Sequence, residues 1–324
     1  MFERLSRALV EDSRDVVFVR LVLRLFVLVP LPIAMVYVGT GPWVLGLGLA
    51  HLALVVWLLG PFILMRHQLA HRPGTFRRPY RWIVTALDWT FGPLLGLSPF
   101  TYVGHHIGMH HPENNMAGDL SSTLPYQRDS LKDFVRYWGA FFLCGVYRLI
   151  RYLGARGRRT LLLRTLFGEG AFLLTCALLA WWSPLPTLLV LGVPLVFTRF
   201  AMIAGNWAQH AFVDPQRPDD PFANSITCID TRYNDRCFND GYHALHHLKP
   251  SMHWGELPAA FARFEHTFVE RRAVVVRGLD HFQVWTLLML RKHKKLAAHL
   301  VMPKFDTEEA AIAFLAERLR PIAR

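Results

Sequence analysis

Three short clusters in this chain set histidines at spacings that suit metal binding. His67 and His71 are spaced HxxxH. His106, His110 and His111 form HxxxHH, with His105 directly before them. His243, His246 and His247 form HxxHH. On a helix, residues four apart lie one above the other on one face, so His67 with His71 and His106 with His110 are expected to share a face. His111 is expected about 100° round from His110. His243, His246 and His247 are expected to converge on one side. A fourth piece is a single turn, Asn206 and His210, within Gly205-Asn206-Trp207-Ala208-Gln209-His210. Neutral imidazole is the commonest metal-ligating side chain, and it suits iron, zinc, copper or nickel. So many imidazoles are too many for one ion and about right for two.

The elements that must carry these residues are apolar. The chain has 324 residues, 52% hydrophobic and 19% charged, against roughly 25% charged in ordinary soluble domains. Its apolar residues fall into runs at 16–39, 43–65, 161–182 and 186–205, each long enough to cross a bilayer. Arg20 and Arg24 interrupt the first run and can extend towards an interface. The turns Gly39-Thr40-Gly41-Pro42 and Ser183-Pro184-Leu185-Pro186 carry no charge. Arg66, Arg72, Arg77, Arg78 and Arg81 lie at the other end of the spans, as do Arg148, Arg151, Arg156, Arg158, Arg159 and Arg164. Basic residues concentrate on the cytosolic side of membrane proteins, so both termini and all the histidine clusters are expected there. The same rule accounts for the formal net charge of +12 without nucleic acid as a partner.

The expected fold is therefore an all-α integral membrane protein, four transmembrane helices under a cytosolic helical cap that carries the histidines. A membrane domain over 1–260 and a cytosolic helical extension over 261–324 are expected. Residues 82–103 carry Asp88 and several Gly and Pro, and read as interfacial or re-entrant rather than spanning. Residues 134–153 read as an amphipathic interfacial helix. Residues 256–275 and 282–300 read as helices, and Thr307-Glu308-Glu309 as the start of a last one. The first residues show no cleavable signal pattern. Cys144, Cys176, Cys228 and Cys237 form no CxxC pair and are expected reduced.

The three clusters, in this order and at these positions relative to the spans, resemble the histidine boxes of the membrane fatty acid desaturase–hydroxylase superfamily. The resemblance runs from about residue 40 to 260. Asn239-Asp240-Gly241-Tyr242-His243 is similar to that family's acidic-Gly-x-His entry to the third box. The resemblance implies two non-haem irons (Fe2+/Fe3+), O2 as co-substrate, and two electrons from a separate electron-transfer protein. It implies a fatty acyl substrate, whether free acid, carrier-bound or lipid-linked. It implies His67, His71, His106, His110, His111, His210, His243, His246 and His247 as iron ligands. Asn206 would hold a metal-bound water, and Asp240 would orient one imidazole. The second box differs from the HxxHH of many acyl-CoA desaturases, which leaves the acyl carrier open.

Desaturation is the reading the resemblance favours. A hydroxylase, or an oxidative decarboxylase giving a terminal alkene, would use the same ligands. The distant alternative from another class is a membrane metal transporter or metal-binding protein. Transporters tend to place ligands near the midplane of repeated halves, and no internal repeat is visible here.

Overall fold

The computed structural model describes residues 2–322. It is mainly helical, and four of its helices are long and apolar enough to cross a membrane: Ser13–Val38, Trp43–His71, Arg159–Trp182 and Pro184–Gln209. The chain divides into two compact units, one of residues 1–105 with 150–199, the other of residues 106–149 with 200–324.

In the first unit, apolar side chains such as Val27, Leu31, Leu166, Leu174, Leu178 and Trp181 face outward along the long helices. An exposed apolar surface of that extent needs lipid rather than water around it. The first spanning segment steps at Pro30, which has no amide to donate and opens the helix Pro30–Val38. The second helix, Trp43–His71, runs six residues past the end of its apolar run and carries His67 and His71 on its last turns.

Residues 82–105 break into three short helices, Trp82–Trp89, Phe91–Leu94 and Thr101–His105, none long enough to span. Two glycines let this segment approach the spans. A Cβ on Gly96 (φ +82°) would strike the Pro194 carbonyl, and one on Gly168 would strike that of Pro99.

Several ionisable groups in this unit are paired. Arg66 Nη2 lies 2.6 Å from Asp88 Oδ1, and Arg72 Nη2 lies 2.8 Å from Asp15 Oδ2. Arg199 Nη2 lies 2.8 Å from Glu169 Oε1, and Thr101 donates to Glu169 Oε2 at 3.0 Å. The Asp88 carboxyl is pushed up by burial, against the lowering effect of Arg66 and then Arg164. Glu169 and Arg199 both lie inside spanning helices, where a lone charge is costly, but nothing in their spacing marks them as partners.

The second unit is built round the buried Trp207 ring, with Phe134, Tyr137, Phe212 and Leu288 in the same core. A small three-stranded sheet, not expected from the sequence, takes in the ends of the two segments expected as helices, 256–275 and 282–300, together with residues 227–229. Its strands are β1 (Thr227–Ile229), β2 (Val275–Arg277) and β3 (Leu300–Met302), with β1–β2 parallel and β2–β3 antiparallel. The helix that begins at Leu257 stops at Glu270, because Val274, Val275 and Val276 are a β-branched run that packs better as a buried strand. The 282–300 segment is two short helices, His281–Met289 and His293–Ala298, followed by β3. The last helix, Glu308–Arg318, starts as expected: the Thr307 hydroxyl accepts from the Ala310 amide at 3.2 Å.

Arg128 lies fully buried in this unit. Its guanidinium donates to the carbonyls of Ala211 at 2.7 Å and Arg318 at 2.9 Å, and to those of Thr123, Leu124, Tyr126 and Arg320. Burial draws its pKa down to about 9, which leaves it charged at neutral pH.

Candidate metal centre

His67 and His71 occupy the end of the second spanning helix, one turn apart, with ring centroids 5.1 Å from each other. That shared face is as the spacing predicts.

The second box behaves differently from a regular helix. Residues His106–His110 form a π-helical turn, in which the hydrogen bonds run from i to i+5. The wider turn sets His106 against His111, with the two Nε2 atoms 3.1 Å apart. The His106 and His110 rings still stack on a shared face, with centroids 5.6 Å apart, but their nitrogens part: His106 meets His111, and His110 joins a separate group. His105 ends the preceding helix and is not among the converging histidines.

The third box divides as well. On the helix His243–Leu248, His243 and His247 face each other with Nε2 atoms 3.1 Å apart. His246 instead points its Nε2 to that of His111, at 3.0 Å. The expectation that all three converge is corrected: i and i+4 stay together, and i+3 crosses to the other group.

Two groups result within this unit. In one, His106, His111 and His246 bring their nitrogens together. In the other, those of His110, His210, His243 and His247 lie within 4.8 Å of one another. His210 joins through Nε2, 3.4 Å from Nε2 of His243. The two groups adjoin: the rings of His111 and His247 stack with centroids 4.8 Å apart.

These spacings fit metal ions. Two nitrogens bound at right angles, each about 2.1 Å from one ion, stand about 3.0 Å apart. The tautomers fit too. His110 Nδ1 lies 2.7 Å from the buried carboxylate of Asp119, and His210 Nδ1 lies 3.0 Å from the Asn224 carbonyl. Both oxygens only accept, so both Nδ1 atoms carry the proton and both Nε2 atoms turn lone pairs inward. Burial, and then the neighbouring His110, lowers His210 to about 4. Burial, then His243 and the other surrounding imidazoles, holds His247 well below its ordinary value. Neutral imidazoles whose lone pairs converge in a buried space form a site for a cation.

Asn206 stands one turn before His210, and its Nδ2 donates to the Ser121 carbonyl at 2.9 Å and the Tyr137 hydroxyl at 2.8 Å. Asp240 accepts from the Tyr233 hydroxyl at 2.8 Å and from Gln209 Nε2 at 3.1 Å. Gly241 beside it is required by space: a Cβ there would strike Asn234 Oδ1 and the Cys228 carbonyl.

Asp119, Asn224 and Tyr137 were not singled out from the sequence. The only local signal is the Asp119-Leu120-Ser121 spacing, in which the carboxylate accepts from the Ser121 amide two residues on, at 2.8 Å. Asn224 lies far along the chain from the boxes and gives no signal.

A sequence profile described as Fatty acid desaturase matches residues 40–278. No curated protein and no solved structure matches the chain. The matched span holds all three histidine boxes and more than half of the chain, so the protein belongs to the fatty acid desaturase family, membrane oxidoreductases of fatty acyl chains.

Proposed function

We propose that this chain desaturates a fatty acyl chain with O2 at a pair of iron ions. The observation that carries this reading is the pair of adjoining histidine groups, with facing Nε2 atoms 3.0–3.4 Å apart, in a chain of this family. His110, His210, His243 and His247 would hold one ion, with Asn206 beside them for a water. His106, His111 and His246 would hold the other, and His67 and His71 of the first box are further iron ligands that the family resemblance implies. Iron bound in this way supplies O2 activation once reduced, with electrons from a separate electron-transfer protein.

The chain's own residues set the conditions for that chemistry. Asp119 and the Asn224 carbonyl fix ring orientation and keep the Nε2 lone pairs inward. Burial of His110, His210, His243 and His246 keeps bulk water off the ligands. The exposed apolar helices hold the chain in the bilayer, where its substrate resides. Asp240 orients the entry to the third box through Tyr233 and Gln209. The basic segments support a cytosolic side for the histidines and both termini.

The test is mass spectrometry of lipids and volatile hydrocarbons from cells that express the full chain, with His246→Ala as control. An added double bond supports desaturation. A hydroxy acid, or an alkene one carbon shorter, replaces it with hydroxylation or decarboxylation. Purified, reduced, iron-loaded protein that oxidises no acyl donor would sink all three. Loosely held zinc with transport activity would favour the metal-transporter reading.

A further inference from the structure

The side-chain amide of Asn206 has two different ends, and its surroundings select between them. Nδ2 faces the Ser121 carbonyl at 2.9 Å, an oxygen that can only accept. It also faces the Tyr137 hydroxyl at 2.8 Å. The single proton of that hydroxyl is committed to the same Ser121 carbonyl, at 2.9 Å. Towards Asn206 the phenol oxygen can therefore only accept. Both amide protons are used, and a flipped amide would set Oδ1 against the Ser121 carbonyl, which has no proton to give, and would take the Tyr137 proton away from that carbonyl. Oδ1 is left as the end that can face a cation or accept from its water.

Tyr137 is fully buried, with 2% of its surface exposed, and it packs 5.0 Å from the Trp207 ring. Its hydroxyl is thus fixed by the core rather than by solvent. The same short segment also grips His110. Asp119 accepts from the Ser121 amide and hydroxyl through Oδ1, each at 2.8 Å, and meets His110 Nδ1 through Oδ2 at 2.7 Å. One three-residue stretch therefore holds both a histidine ring and an amide.

We propose that Tyr137 is a positioning residue that, with the Ser121 carbonyl, holds Asn206 Oδ1 towards the ion bound by His110, His210, His243 and His247. The proposal rests on the metal-site reading above.

A double-mutant cycle in the full-length protein tests it. Wild type, Tyr137→Phe, Asn206→Ala and the double variant are loaded with Fe(II) and separately with Co(II). The rate of metal release to a chelator and the visible Co(II) bands are measured. Loss of a group that orients a metal site costs on the order of 10–100-fold in metal affinity. Each single variant should therefore release one metal about 10-fold faster or more and change the Co(II) bands. The double variant should match Asn206→Ala, because Tyr137 acts only through that amide. Unchanged release in Tyr137→Phe overturns the proposal, as does a double variant whose effect is the product of the two singles.

If Tyr137→Phe does not fold, Asn206→Asp puts a carboxylate against the same two acceptors. Fast release there supports the proposal, and wild-type release overturns it. Wild-type protein that binds neither metal defeats the site reading and this proposal together. Tight metal binding with multiplicative effects defeats this proposal alone.

Discussion

In the apolar unit, Arg66 is buried against one partner, the Asp88 carboxylate, at 2.6 Å. In the histidine-bearing unit, Arg128 is equally buried, but it is spent on six backbone carbonyls. The first arrangement neutralises a charge locally, and a matched apolar pair could stand in for it. The second uses a charge to tie residues 123–126, 211 and 318–320 into one frame, and no other side chain supplies the five donors of a guanidinium. The second unit also holds pairs, such as Arg318 with Asp214 at 3.0 Å, but the contrast recurs near its histidines. Arg199 with Glu169 and Arg72 with Asp15 are pairs, whereas Asp119, Ser121, Asn206, Tyr137 and Asn224 form a network that ends on imidazoles. Pairs make charge tolerable in an apolar setting, and networks place atoms.

The sharpest test of that contrast is at the site itself. His210→Ala should lower bound iron from about two to about one per chain and bring product formation to background, as read by metal analysis and product mass spectrometry. Arg128→Met should follow, with a loss of about 3–5 kcal/mol, because it leaves several buried carbonyls without donors. Thermal unfolding in detergent measures it, and an unchanged midpoint would end the framing role given to Arg128.

Asp88→Ala should cost about 3 kcal/mol by stranding the Arg66 charge, and Arg66→Met in the same chain should recover most of that loss. Failure to recover would mean that the two units do not differ in this way. Asp119→Asn should weaken iron binding by roughly 10-fold or more while leaving the melting midpoint nearly in place. Chelator competition against wild type separates the two.

The smallest effect concerns acid. Burial raises the Asp214 carboxyl, but the Gln216 amide, Arg318 and Arg217 more than offset this, and it sits below its ordinary 3.8. A depressed folded-state value contributes stability that is intact above 3.8 and is lost as pH falls through the folded value. Asp214→Asn should flatten that part of an acid-unfolding profile, and an unchanged profile would remove Asp214 from the account.

Composition and spacing sufficed for the four spans, because a bilayer demands long uninterrupted apolar runs and leaves few alternatives. They sufficed also for the histidine boxes, whose residue types are costly near lipid and rarely accumulate without use. The apolar run ends at Met65, but the HxxxH spacing already carries the helix on to His71 through the polar Arg66, His67 and Gln68. Other features needed the folded chain. The sheet was hidden because three-residue strands pair across long sequence separations.

What the sequence determined by itself is which imidazoles are available and on which segments. Only the tertiary structure decided how they divide. A π-helical turn sets His106 with His111 instead of His110, and the third box is shared between two groups. Both depend on backbone hydrogen-bond register and on contacts from distant residues, Asp119 and Asn224 among them, which local spacing does not encode.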